Sequence, residues 1–211
     1  MKTTLEHKHI AALATLMGVK DSRPHINGVW VEARSPDVIA FATNGYSVGA
    51  MLTGASIEEG GEFDVFIPGD VAIAIAKSNK NGRIEIESPD GKQWSATNTL
   101  NGTRWVWADA QYAPFDWRRV TPRTTSGAVG QFQPVLINNF AKAAAILTGE
   151  KQLFPVLIAH NGADTAQVQI PRCPEFIGAV MPAAEKAVSP YMRHTPPDWA
   201  MGGYRQPEAL I

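Results

Sequence analysis

Apolar residues recur along this chain with two alternating periods. Val38 to Thr43 is a run of apolar and β-branched residues, and Tyr46 to Leu52 is a second. Asn44-Gly45 lies between them, a strong two-residue hairpin signal. Before them, Ile10, Leu13, Ala14, Leu16 and Met17 fall at helical spacing, so a helix is predicted over His7 to Met17 with Gly18 as its stop. Lys2 to Leu5 reads as a short strand, and another begins within Ile26 to Arg34 and turns at Ser35-Pro36-Asp37. The same order then returns. Glu62 to Ile67 is a strand, and Pro68 opens a helix to about Ser78 with Val71, Ala72 and Ile75 inward. Arg83 to Ser88, Gln93 to Asn98 and Thr103 to Ala108 are three further strands, the last with Trp105 and Trp107 on one face.

A third unit follows Thr124-Thr125-Ser126-Gly127, whose composition is that of a linker. Gly130 to Gln133 reads as its opening strand. Pro134 to Leu147 is the most regular helix of the chain, with Leu136, Phe140, Ala143, Ala144 and Leu147 on one face. Leu153 to Ala159 and Thr165 to Ile170 form a hairpin across Asn161-Gly162, and Phe176 to Met181 is a closing strand. Pro190, Pro196, Pro197 and Gly202-Gly203 predict a C-terminal tail over 183–211, whose Tyr191, Trp199 and Tyr204 suit docking. Strand, helix and three strands thus occur three times, with helices about 65 residues apart. The predicted class is α+β, with helices on one face of antiparallel sheets.

Composition narrows the chemistry. A formal net charge of -1 over 211 residues gives no global basic signature, so any nucleic-acid contact needs a local patch. The single cysteine, Cys173, excludes an internal disulfide framework and fits a reducing cytoplasm. No apolar run approaches a membrane span, and Met1 to Lys8 lacks the apolar stretch of a signal peptide. His7 and His9 stand two apart and His25, His160 and His194 singly, which is not metal-ligand spacing, and no glycine loop is built to cradle phosphate. Neither a metal nor a cofactor is expected.

One enzyme pattern is present. Gly45-Tyr46-Ser47-Val48-Gly49 spells the nucleophile elbow of serine hydrolases, and Asp109, Asp116 and His160 follow in Ser–Asp–His order. That motif needs a helix leaving the serine within a parallel sheet. Here a hairpin strand leaves it, and no catalytic residue is assigned.

The stretch Tyr112-Ala113-Pro114-Phe115-Asp116-Trp117-Arg118-Arg119-Val120-Thr121-Pro122 is bracketed by prolines, which cannot donate within a sheet. It reads as an extended connector lying across a surface, pinned by Phe115 and Trp117. It resembles the connector between the second and third domains of the bacterial DNA polymerase III β sliding clamp, where Phe-Pro-Asp-Tyr-Arg-Arg-Val-x-Pro is typical. Here Pro114-Phe115 swaps the first two positions and Trp117 replaces Tyr. The likeness extends through Arg23 to Val29, Ala42 to Val48 (with Asn44 where the family carries Asp) and Phe63 to Pro68. It continues in the helix segment Phe140 to Leu147 and in Val180-Met181-Pro182.

The resemblance implies the DNA-clamp fold, with residues 1–123 a complete domain and 124–182 a second, truncated one. It implies a non-enzymatic processivity factor or docking platform in DNA replication, acting as a homo-oligomer. The alternative is a protein-interaction module or decoy that does not encircle DNA. Its implied partners are DNA, met through phosphates by Lys8, Lys20, Arg23, Lys77, Lys80 and Lys142, and replication proteins carrying a short hydrophobic clamp-binding motif. The implied groove for that motif is walled by Ile26, Thr43, Gly45, Tyr46, Ser47, Val48, Arg119, Val120, Val180, Met181 and Pro182.

Overall fold

The computed structural model describes residues 1–184. Its first unit comprises β1 (Lys2–Glu6), α1 (His7–Leu13), β2 (Gly28–Ala33), β3 (Val38–Thr43) and β4 (Ser47–Leu52). A short β5 (Ile57–Glu59) precedes the second unit: β6 (Phe63–Pro68), α2 (Gly69–Ala76), β7 (Arg83–Glu87), β8 (Gln93–Asn98) and β9 (Arg104–Ala108). The third unit comprises α3 (Pro134–Thr148), β10 (Leu157–Ala159), β11 (Ala166–Ile170) and β12 (Cys173–Val180). All pairings are antiparallel. Five strands run in the order β5-β1-β7-β8-β9 and seven in the order β10-β11-β12-β4-β3-β2-β6.

Each unit lends strands to another. β1 leaves its own unit to pair with β7, and β6 leaves the second unit to pair with β2. The seven-stranded sheet passes from the first unit into the third through the β4–β12 ladder, Ser47 opposite Val180 and Met51 opposite Phe176. Strand periodicity sorts its side chains. Val29, Val31, Ala33, Val38, Ala40, Ala42, Val65 and Ile67 are buried on the helix side. Trp30, Phe41, Ala50 and Phe66 form a separate cluster on the other side.

The three helices lie side by side on one face of that sheet, α1 in the middle. Buried polar bonds tie them together. His7 Nε2 lies 2.8 Å from the Ile75 carbonyl of α2, and Thr15 Oγ1 donates to the Asn139 carbonyl of α3 at 3.1 Å. At the β4–β12 seam two glycines, Gly49 and Gly178, stand opposite each other. A Cβ on Gly178 would lie 2.6 Å from Cε1 of Phe140, and one on Gly49 would lie 2.4 Å from Cδ1 of Leu16. The seam is therefore a trough into which α3 and the end of α1 sink. The five-stranded sheet closes the same core with Leu5, Ile84, Ile86, Trp94 and Trp107, and Trp107 Nε1 donates to the Phe66 carbonyl at 2.9 Å.

The expected elements appear with five changes, one being that the closing strand begins at Cys173 and runs through Pro174-Glu175 instead of starting at Phe176. Gly130 to Gln133 is not a strand. Its neighbourhood makes single backbone bonds instead, Gly127 and Gly162 to the facing loop and Ala183 to Gln131, and Pro134 starts the helix at once. The third unit thus lacks an opening strand. The first helix stops at Leu13 and continues as turns to Leu16. β10 begins only at Leu157, two residues after Pro155, which has no amide to pair. β5, too short and acidic to show periodicity, was not expected. The tail assigned to 183–211 falls outside the described residues from 185 onward. Among the described residues no helix is long and apolar enough to cross a membrane, and no cluster of His, Cys, Asp or Glu could hold a metal ion.

Candidate functional site

The connector 109–122 crosses the face of the seven-stranded sheet opposite the helices. Phe115 and Trp117 pack onto the Trp30–Phe41–Phe66 cluster, with the Trp117 ring 6.4 Å from Phe41, while Tyr112 meets Phe66 edge-on at 5.4 Å. Trp117-Arg118-Arg119 forms one turn of 3-10 helix. Arg118 folds back, its guanidinium 4.5 Å from the Trp117 ring centre and 3.0 Å from the Glu32 carboxylate. A cation held over an indole face is a staple for the connector. Arg119 points to solvent, and Val120 stays 39% exposed.

Beside the connector lies the β3–β4 hairpin. Asn44 Oδ1 accepts the amides of Tyr46 and Ser47, both at 2.9 Å, and Thr43 Oγ1 donates to the Ser47 carbonyl at 2.8 Å. Such local side-chain bonds freeze a loop. Gly45 takes φ +86° under the Arg23 guanidinium, whose Nη2 would lie 2.4 Å from any Cβ there. The positive φ is what favours glycine here. Tyr46 is thereby thrown outward, 57% exposed.

A 3-10 turn, Pro24–Ile26, forms the next wall, fixed by a bond from Trp30 Nε1 to the His25 carbonyl at 2.9 Å. The Gly18 amide reaches both the Ile26 and Thr43 carbonyls, at 2.8 and 3.0 Å, joining this wall to the hairpin. The last wall is the end of β12, where the Met181 amide donates to the Tyr46 carbonyl at 2.8 Å. These four pieces enclose a cleft of about 300 Å³, a size that suits one or two side chains.

Eight of the eleven residues expected to wall a groove line this cleft: Ile26, Thr43, Gly45, Tyr46, Ser47, Val48, Val120 and Met181. Three do not. Val180 is fully buried on the helix side, since neighbours in a strand face opposite ways and Ala179 and Met181 take the cleft side. Arg119 is turned to solvent, and Pro182 lies past the rim beside Gly130. Arg23, His25, Phe115, Thr165 and Ala179 complete the lining. Strand alternation could have pointed to Ala179. His25 and Thr165 arrive through tertiary pairing that no local pattern announces.

Among the lining residues no carboxylate occurs. Arg23 gives Nε and one Nη to the Asp21 carboxylate at 2.9 and 3.0 Å, and this pairing holds the half-buried Asp21 carboxyl down at about 2.

Arg23 therefore belongs to the cleft and is separated from the other cations expected to meet DNA. Lys8 is paired with Glu6 at 2.9 Å. Lys20 is exposed in the loop after α1 at φ +55°. Lys77 and Lys80 follow the exposed side of α2, and Lys142 stands on the exposed side of α3, none with an ion pair among the described residues. The hydrolase pattern is not assembled. Ser47 Oγ meets Asn44 Oδ1 at 3.2 Å, and β4 leaves the serine. His160 Nδ1 accepts the Gly130 amide at 3.2 Å while its ring lies tilted against Phe132 at 5.4 Å.

No family model and no curated protein sequence matches this chain. Solved structures do. The DNA polymerase III β subunit of Pseudomonas aeruginosa superposes with a TM-score of 0.64 at 13% identity, covering 87% of this chain and 66% of that one. The chain has the sliding-clamp fold. The β subunit of Borrelia burgdorferi, solved with a natural product, gives 0.66 at 13% identity, covering 87% and 64%. That of Thermotoga maritima gives 0.61 at 11%, covering 87% and 65%. The chain thus spans about two thirds of the length of these sliding clamps, and what it shares with them is the fold.

Proposed function

We propose that this protein is a docking platform of the sliding-clamp type, which seats a short hydrophobic motif of replication proteins in the cleft between hairpin, connector and β12. The observation that carries this reading is the cleft itself. Tyr46, Val120 and Met181 are apolar yet 57, 39 and 49% exposed, around a hollow whose backbone is fixed by hydrogen bonds. A preformed, apolar hollow loses little entropy when a side chain enters it. No catalytic role is proposed. Residues 1–123 and 124–182 are taken as the whole and the truncated clamp domain.

The test is calorimetric titration with a decapeptide whose only apolar side chains are an adjacent Leu-Phe pair. Micromolar-scale binding is expected, ~8 kcal/mol, concentrated in one or two anchors. Absence of heat at millimolar peptide would remove this reading.

DNA is the second proposed partner, met without base readout by the open helix face. Changing Lys77, Lys80 and Lys142 together to Glu is expected to weaken binding to a random-sequence duplex and flatten its salt dependence. The slope of log K against log salt should drop by about three, near 0.9 for each phosphate no longer neutralised. An unchanged slope would turn that helix face away from DNA.

A reading without encirclement draws on one feature. The β4 edge is already taken by the chain's own β12, and the seven-stranded sheet, whose other edge is β6, ends on that side in β10, three residues long. A strand that short offers few ladder bonds to a second copy. Sedimentation at micromolar concentration separates the two: closed oligomers support encirclement, and monomers throughout support an interaction module.

A further inference from the structure

The described chain leaves the fold at the cleft. Met181 lines the hollow, its amide is held by the Tyr46 carbonyl, and the Ala183 amide is held by Gln131 at 2.7 Å. The sequence continues through residues 185–211. We propose that the cleft is filled, in the absence of a partner, by the segment Asp198-Trp199-Ala200-Met201 of the same chain, so that a partner motif must displace it. This rests on the docking reading of the cleft and adds to it a built-in competitor.

Three features select that segment. The first is reach: residues 185–197 separate it from the last described residue, a stretch that spans up to about 45 Å when extended. The cleft begins at Met181, so the chain has length enough to return to it. The second is apolar spacing. Trp199 and Met201 are two apart, which in an extended backbone puts both on one side, toward a hollow of about 300 Å³. The third is charge. No carboxylate lines the cleft, Arg23 is already bonded to Asp21, and Arg119, exposed beside the lining residue Val120, has no ion pair among the described residues. Tyr191-Met192, the other aromatic–methionine pair of the tail, is followed by Arg193-His194, which would set cation against cation. Trp199 is preceded by Asp198, which suits that rim.

Tethering makes a weak segment sufficient. A segment joined to its site by a short linker acts at an effective concentration on the order of millimolar. A motif with a dissociation constant of about 0.1 mM when free therefore occupies the cleft about nine-tenths of the time when attached.

The experiment uses the full chain and the variant Trp199→Ala/Met201→Ala, each titrated with the labelled Leu-Phe decapeptide. The variant is expected to bind about ten-fold more tightly, as for a cleft filled about nine-tenths of the time by its own tail. A synthetic peptide spanning Thr195 to Gly203, added to the variant at millimolar concentration, should then displace the probe. Amide hydrogen exchange is followed in parallel, because it needs no probe. The amides of residues 44–48 and of Met181 should exchange faster in the variant than in the wild-type chain. Faster exchange in the variant without any probe binding would support the tail contact and remove the docking reading alone. Equal exchange and equal probe affinity in the two proteins would overturn the proposal and leave the docking reading standing. Failure of the Thr195–Gly203 peptide to compete would overturn it as well.

Discussion

Replacing Phe140 by alanine is expected to lower the unfolding free energy by about 3–5 kcal/mol, the range for removing a fully buried phenylalanine. The reason is local. Phe140 is fully buried, meets Phe176 edge-on at 6.3 Å, and lies on the backbone of Gly178. The trough beneath it is made by Gly49 and Gly178, which have no side chains to swing into the space. The cavity therefore cannot be refilled from below, and relaxation would need α3 itself to sink further. Urea denaturation followed by far-ultraviolet circular dichroism measures the change. Val135→Ala, on the same helix at 57% exposure, is the control and should stay within about 0.5 kcal/mol of wild type. A loss below about 1 kcal/mol for Phe140→Ala would mean that α3 is not seated on the β4–β12 seam.

Met181→Asp is expected to weaken binding of the Leu-Phe decapeptide by about 100-fold or more, near 2.7 kcal/mol. The side chain is a half-exposed apolar wall of the cleft, and a bound peptide would cover it. A carboxylate in its place would lose its water on binding, and Arg23, the guanidinium lining the cleft, is already bonded to Asp21, so the cost is several kcal/mol unless compensated. Stability should change little, because the strand end is held by the Met181 amide, which any residue but proline supplies. Calorimetry with the decapeptide and a thermal melt on the same sample check both halves. Wild-type affinity in the variant would remove Met181 from the binding surface, and a collapsed melt would make it a structural residue.

Much of this site could be read from the chain because its walls are local. Asn44-Gly45 announces a hairpin, and the asparagine side chain and the positive φ of the glycine then build it. Pro114 and Pro122 forbid a strand, and Phe115 and Trp117 demand a surface, so the connector had to lie across something apolar. The face of α3 was legible because five apolar residues recur at helical spacing, and all five are buried. Other features depend on pairing that periodicity does not encode. Whether Val180 or its neighbours face the cleft depends on which face β12 presents when it joins β4. Thr165 comes into reach only because β11 pairs with β12. Among the cations, sequence could mark Arg23 and Lys142 as equally basic. Only the fold sets one on the cleft side of the sheet, bonded to Asp21, and leaves the other open on the helix side.

The β4–β12 ladder also imposes an order in time. Its two strands, Ser47–Leu52 and Cys173–Val180, are separated by most of the chain, and such distant pairings close late because the intervening loop must first be ordered. During synthesis, β4 waits as a bare edge beside a finished hairpin until the ribosome has released the strand that covers it. The cleft, whose far wall is the last residue of that strand's continuation, comes into being in the same step. On the docking reading, the chain becomes competent only once it has been translated through Met181 and the ladder has closed, and a product truncated before β12 carries the hairpin and connector without the cleft.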